Sequence, residues 1–186
     1  MALSANVGPM EKRTVLVTGS AGKIASQVLP ALRERYDLTL LDLRVTNRQG
    51  QSVEGVQVAD LLNRDRDTYR SHFTGVDAVV HFGFASAGRS DTDAYFQAEL
   101  SNVQMAYNVY QTSVEEGVRR VVASSNHAAD YYEALILDGQ RDFIDPDGRA
   151  QSDNYYGWAK EVYEHLGFVF AAGKQSARPL ENVHIR

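Results

Sequence analysis

Two side chains in the segment DNYYGWAK (residues 153–160) are spaced for proton chemistry: Tyr156 and Lys160, four residues apart. On a helix that spacing places both on one face. A phenol of ordinary pKa, about 10, is a poor base at neutral pH. A neighbouring ammonium stabilises the phenolate and lowers that value. Such a couple can take a proton from an alcohol while hydride leaves the adjoining carbon. Tyr155 stands one residue off, roughly 100° around a helix, and is assigned to packing or to a pocket wall. A core tyrosine followed by a solvated lysine is the competing reading, because this spacing is common by chance. The rest of the chain has to decide between them.

A second constellation lies near the N-terminus. The apolar run Thr14–Thr18 (TVLVT) leads into TGSAGKIA (Thr18–Ala25) and then into a helical pattern. A strand entering a glycine turn that opens a helix creates an anion site, because free backbone N–H groups and the helix dipole point at the turn. Gly19 permits the sharp turn and Gly22 permits backbone to approach a pyrophosphate. Ala21, Lys23 and Ile24 complete the cofactor-facing turn. Ala25 stands where a third glycine is usual, one methyl larger. Asp42 ends the next strand, 23 residues after Gly19. There a carboxylate can accept from both ribose hydroxyls of an adenosine and repel a 2′-phosphate, which favours NAD over NADP. Arg44 works in the opposite direction. Asp60 and Leu61 follow the third strand and reach toward the adenine edge, with an exposed loop acid as the plainer reading of Asp60.

The elements that must position these residues alternate along the chain. Strands are expected at Thr14–Thr18, Leu38–Asp42, Val56–Ala59, Val76–Phe82 and Val118–Ser124, with a sixth from Val183. Helices are expected at Lys23–Arg35 (with Pro30 inside), Arg64–Phe73, Ala94–Glu116 and Asn154–Ala171, and a long polar loop at Tyr131–Ser152. Apolar strands separated by helices indicate a parallel sheet covered on both faces. The expected fold is therefore α/β: a doubly wound, Rossmann-like parallel sheet in a three-layer α/β/α sandwich. Residues 1–12 read as a flexible leader and 13–186 as one dinucleotide-binding domain.

Composition narrows the partners. A net charge of −5 and no basic run argue against nucleic acid and anionic membrane surfaces. No apolar stretch approaches the length of a bilayer span. The absence of cysteine excludes disulfides and thiolate catalysis and fits a cytoplasmic setting. Five histidines without ligand spacing suggest no metal.

TGSAGKIA, Asp42, the strand-end SSNH (Ser124–His127) and YGWAK (Tyr156–Lys160) together resemble the extended short-chain dehydrogenase/reductases of the NAD-dependent epimerase/dehydratase group, and among them the uronate dehydrogenases. The resemblance runs from Arg13 to Arg186. It implies that Tyr156 is the base and that Lys160 lowers its pKa and holds the nicotinamide ribose. It implies that Ser125 and Asn126 hydrogen-bond the reacting sugar hydroxyl, with Ser or Thr usual in the superfamily where Asn126 stands. His127 becomes a substrate contact, against the alternative of a loop or core histidine. Ser86, after HFGFA, becomes a substrate contact, and Phe82 and Gly83 line the cofactor. Asn102 supports a water-mediated proton path to the lysine, or else lies on a solvated helix face.

The reaction so implied is oxidation of a hexuronic acid at its anomeric carbon to an aldonolactone, with NAD as cofactor. The helices at 94–116 and 154–171 are expected to join two subunits. A nucleotide-sugar epimerase or dehydratase and a non-catalytic NAD-binding module are the alternatives. Members of the group continue well past the sixth strand, into a part that carries an arginine for the sugar carboxylate. The sequence stops at VHIR, so the substrate-binding C-terminal part is expected to be missing.

Overall fold

The computed structural model describes residues 12–124 and 129–185. Six strands form one parallel sheet: β1 (Thr14–Thr18), β2 (Asp37–Asp42), β3 (Val56–Val58), β4 (Ala78–His81), β5 (Arg120–Ser124) and β6 (Glu181–Ile185). Their order is β3-β2-β1-β4-β5-β6. Strand order therefore reverses at β1, whose neighbours are β2 on one side and β4 on the other. In open sheets of this kind, ligands bind outside the carboxyl ends of the strands at that reversal.

The period-two alternation of β1 explains how both faces are covered. Val15 and Val17 point to one face and pack with Ala25 and Leu29 of α1 (Lys23–Arg35). Leu16 points to the other and joins the larger core. That core draws on α3 (Thr92–Glu115) through Met105, Ala106, Val109 and Tyr110, and on α5 (Tyr155–Ala172) through Ala159, Tyr163 and Phe170. Ala25 is fully buried in the tight contact between α1 and β1, where a small residue is needed. Pro30 lies inside α1, and the helix runs through it.

Two expectations need correcting. Asp130–Leu137 forms helix α4, where a loop was expected from Tyr131. Asp130 and Glu133 in its first turn complement the helix dipole, and only the Asp- and Gly-rich stretch after it stays irregular. The helix expected over 64–73 contracts to α2 (Asp67–Arg70), followed by a 3-10 turn at Ser71–Phe73. Asn63 and Asp65 accept the N–H groups of Asp65 and Asp67 through their own side chains. Those local bonds compete with helical ones and delay the start.

Among the described residues, no helix is long and apolar enough to cross a membrane.

Candidate active site

The glycine turn and the Tyr–Lys pair line one groove of about 380 Å³ at the carboxyl ends of β1, β2 and β4. One end is built by the turn. Gly19 adopts φ 66°, and a Cβ there would lie 2.6 Å from the backbone of Phe82 and Gly83. The position therefore needs glycine for its dihedral and for the close approach of two strand ends. α1 starts at Gly22 with no side-chain cap and no acid in its first turn. The first N–H groups of a helix have no intrahelical partner. Here they face the groove, which Gly22, Lys23 and Ile24 line. An anionic diphosphate suits these donors.

Asp42 is half-buried beside the turn. Its Oδ2 accepts from the Ala21 N–H at 2.9 Å, and its Oδ1 from the Arg44 N–H at 3.2 Å. Ala21 is thus a support for the acid and not a lining residue. Asp42, Asp60 and Leu61 line the groove, as do Arg44 and Arg48. Each Asp42 oxygen keeps acceptor capacity for a diol. Replacing Asp42 with Ala should weaken NAD roughly 10- to 100-fold, the worth of charge-assisted hydrogen bonds, and leave NADP affinity nearly level. Titration calorimetry with both nucleotides checks this; equal losses for the two would contradict it.

The other end of the groove is set by α5. Asn154 caps the helix by accepting from the Gly157 N–H at 2.9 Å, and its Nδ2 donates to Asp130 at 2.7 Å. The Tyr156 N–H donates to the Tyr95 hydroxyl of α3 at 3.1 Å. With its backbone held from two sides, Tyr156 meets Phe84 edge-on at 5.2 Å and lines the groove with Lys160. Tyr155 turns away and packs on Tyr95 and Phe96. The four-residue spacing thus selects the tyrosine that faces the groove.

Lys160 is 6% exposed, with Nζ 4.7 Å from the Tyr163 ring centroid, 5.3 Å from Tyr156 and 5.8 Å from Phe84. Burial brings its pKa down to about 8, with Glu99 opposing that fall. The phenol behaves differently from the sequence expectation. Burial pushes the Tyr156 pKa up, reinforced by Glu99, Asp130 and Tyr95, and Arg89 pulls it down. Lys160 has its ammonium against the tyrosine ring, where it is held over the π face, and desolvation of the phenolate outweighs the cations nearby.

The depressed lysine has a consequence for stability. Below about pH 8 the folded and unfolded chains both hold the proton, and the folded chain bears the full cost of a buried cation. Between about 8 and the ordinary 10.5, the folded chain has released a proton that the unfolded chain keeps. Stability from this group therefore rises with pH through that window. Wild type should gain up to roughly 3 kcal/mol on Lys160→Met between those limits, read by urea unfolding. A constant difference would contradict it.

Phe82, Gly83 and Ser86 line the groove between its two ends. Asn102 does not reach the groove. It is fully buried, not on a solvated face, and clamps the wall from behind: Oδ1 accepts from Ala85 N–H at 2.7 Å and Nδ2 donates to Ala85 O at 2.8 Å. Ser125, Asn126 and His127 lie outside the described residues.

Phe84 and Ala85, in the strand-end run HFGFA, also line the groove, as does Met105, which the sequence does not single out. His81 was missed too. It is buried, bonds Thr18 at 2.7 Å, and is kept neutral by burial and Lys160, its pKa pushed down to about 3. Glu99, 1% exposed, was missed although it lies in phase with the buried stripe of α3 (Asn102, Ala106, Val109). A carboxylate on an apolar helical stripe is a signal that periodicity offers.

Residues 15–176 match the model of the NAD dependent epimerase/dehydratase family. The chain belongs to that family. Among curated proteins it is 32% identical over 159 residues to the uronate dehydrogenase of Pseudomonas syringae pv. tomato, covering 84% of this chain and 53% of that protein. It is 29% identical over 165 residues to the NAD-dependent glucose-6-phosphate dehydrogenase of Haloferax volcanii, covering 82% and 61%. Among solved structures it superposes on uronate dehydrogenase from Agrobacterium tumefaciens with a TM-score of 0.67 at 25% identity, over 89% of this chain and 58% of that one. The chain thus spans a little over half the length of these family members. It has the fold of an NAD-dependent oxidoreductase of the short-chain dehydrogenase/reductase superfamily.

Proposed function

We propose that the chain binds NAD in the groove and provides the cofactor site and the proton-transfer couple for oxidising a hexuronic acid at its anomeric carbon. The observation that carries this reading is that Gly19, Asp42, Tyr156 and Lys160, distant in sequence, line the same groove. The free N–H groups of α1 would hold the diphosphate, Asp42 the adenosine ribose, and Lys160 the nicotinamide ribose.

When bound, NAD⁺ would supply the hydride acceptor. Tyr156 would take the proton of the C1 hydroxyl. Its ring is positioned by the capped start of α5 and by the Phe84 edge contact, which limits where the reacting oxygen can approach. Lys160 in its ammonium form stabilises the phenolate as it forms. Activity is therefore expected to rise with pH up to about 8, the value to which burial lowers Lys160, and to fall only beyond the raised Tyr156 pKa, because the product of phenolate and ammonium fractions is level between the two. Ser86 at the groove rim, with Ser125, Asn126 and His127 beyond the described residues, would contact the sugar. The similarity to uronate dehydrogenases, together with SSNH, favours a sugar acid. The exposed Leu100, Tyr107 and Phe168 on α3 and α5 fit pairing of two subunits through those helices.

The test is a substrate panel: glucuronate, galacturonate and glucose 6-phosphate with NAD⁺, and UDP-glucose for 4-epimerisation. NADH and an aldonolactone from the uronates are expected. Conversion of UDP-glucose alone would replace this reading with the epimerase. NAD binding with no turnover of any sugar would reduce the chain to a cofactor-binding module.

A further inference from the structure

We propose that Glu99 is a positioning residue of the Tyr156–Lys160 couple, its buried carboxylate serving as the counter-charge that keeps Lys160 in its ammonium form. The inference rests on the reading that this couple acts on substrate, and it adds a charge that neither the motif nor the groove lining contains.

The geometry ties Glu99 to the couple through one stretch of chain. Glu99 Oε2 accepts from Asn102 Nδ2 at 3.1 Å. Asn102 holds both backbone groups of Ala85 at 2.7 and 2.8 Å. Ala85 is preceded by Phe84, whose ring meets Tyr156 at 5.2 Å and lies 5.8 Å from Lys160 Nζ. A carboxylate that is 1% exposed and an ammonium that is 6% exposed thus sit on facing helices, α3 and α5. Burying either charge alone costs several kcal/mol, and hydrogen bonding by a neutral amide offsets only part of that.

The surroundings of both groups are consistent with this pairing. Lys160 faces His81 from β4, which is neutral, and the rings of Tyr156 and Tyr163 on its own helix. Glu99 is the group that raises the Lys160 pKa against burial. Burial pushes the Glu99 pKa up, while Asn102, Lys160 and Arg89 pull it down. Tyr156 is also influenced by Glu99, Asp130 from α4, Tyr95 from α3 and Arg89.

Glu99 acts with opposite chemical value on the two members, yet removing its charge moves both in one direction. Without it, the ammonium is lost at lower pH and the phenolate forms at lower pH. Both limbs of a pH–rate profile should then shift to acid together. A role limited to holding Asn102 would move neither, because glutamine accepts the same hydrogen bond.

The test is an NMR titration with ¹³C at the lysine ε carbons; the chain has only Lys12, Lys23, Lys160 and Lys174 to resolve. In wild type, Lys160 should titrate near 8. In Glu99→Gln its midpoint should fall by about one pH unit, with the other three unmoved. An unchanged Lys160 midpoint in the folded variant overturns the proposal. Should the variant not fold, the Glu99 carboxyl carbon in wild type decides. An ionised Glu99 that reports the Lys160 titration as an inflection supports the proposal, and a Glu99 neutral at pH 7 overturns it. The titration needs no turnover, so a protein inactive on every sugar still gives a reading on Glu99.

Discussion

Tyr156→Phe should lower turnover roughly 100- to 10,000-fold, the usual contribution of a positioned acid–base group, with little change in NAD affinity. The variant removes one oxygen and keeps the ring that meets Phe84 at 5.2 Å and lies 5.3 Å from Lys160 Nζ. The capped start of α5 depends on Asn154 and on backbone, so it is untouched. The loss should appear in kcat more than in KM, because the proton is transferred in the transition state. Tyr155→Phe is the control. Its ring packs on Tyr95 and Phe96, and its removal of a hydroxyl should leave turnover within a few-fold of wild type. Comparable losses in the two variants would remove Tyr156 from the role of base.

Gly19→Ala should cost the most on the binding side. The new methyl would stand 2.6 Å from the Phe82 carbonyl and the Gly83 nitrogen, at a φ of 66° that side chains rarely adopt. Two strand ends must separate to admit it. The expected cost is roughly 2–4 kcal/mol, a fall in Tm of about 5–15 °C for a domain of this size. The groove would deform at the point where backbone meets diphosphate, so NAD should no longer raise the Tm of the variant. Thermal melts with and without NAD measure both effects. An unshifted Tm with intact NAD stabilisation would show that this turn is not the cofactor cradle.

The legible part of the fold was what local pattern dictates. Apolar runs such as TVLVT, glycine turns and helical periods located all six strands and the two long helices to within a few residues. α2 and α4 were misjudged because local side-chain bonds at Asn63 and Asp65 shorten one, and two acids near its N-terminus stabilise the other. Of the site, residues tied to backbone geometry or to fixed spacing could be read directly: Gly19, Gly22, Asp42, Tyr156 and Lys160 meet on one groove. Charge balance could not. The spacing alone predicts a Tyr156 pKa lowered by Lys160, while the fold buries the phenol near Glu99 and Asp130 and raises it. Desolvation depends on packing between helices distant in the chain, and a linear reading does not contain it. Asn102 shows the same limit: the sequence allows it a solvated helix face, and only the fold shows it buried and clamped on Ala85.

The most direct test follows the transferred atom. Wild-type protein with NAD⁺ and glucuronate deuterated at C1 should give NADH carrying the deuterium, detected by mass spectrometry, and Tyr156→Phe should give little. NADH without label, or label transferred equally by both proteins, would contradict the assignment of this groove and this tyrosine to the oxidation.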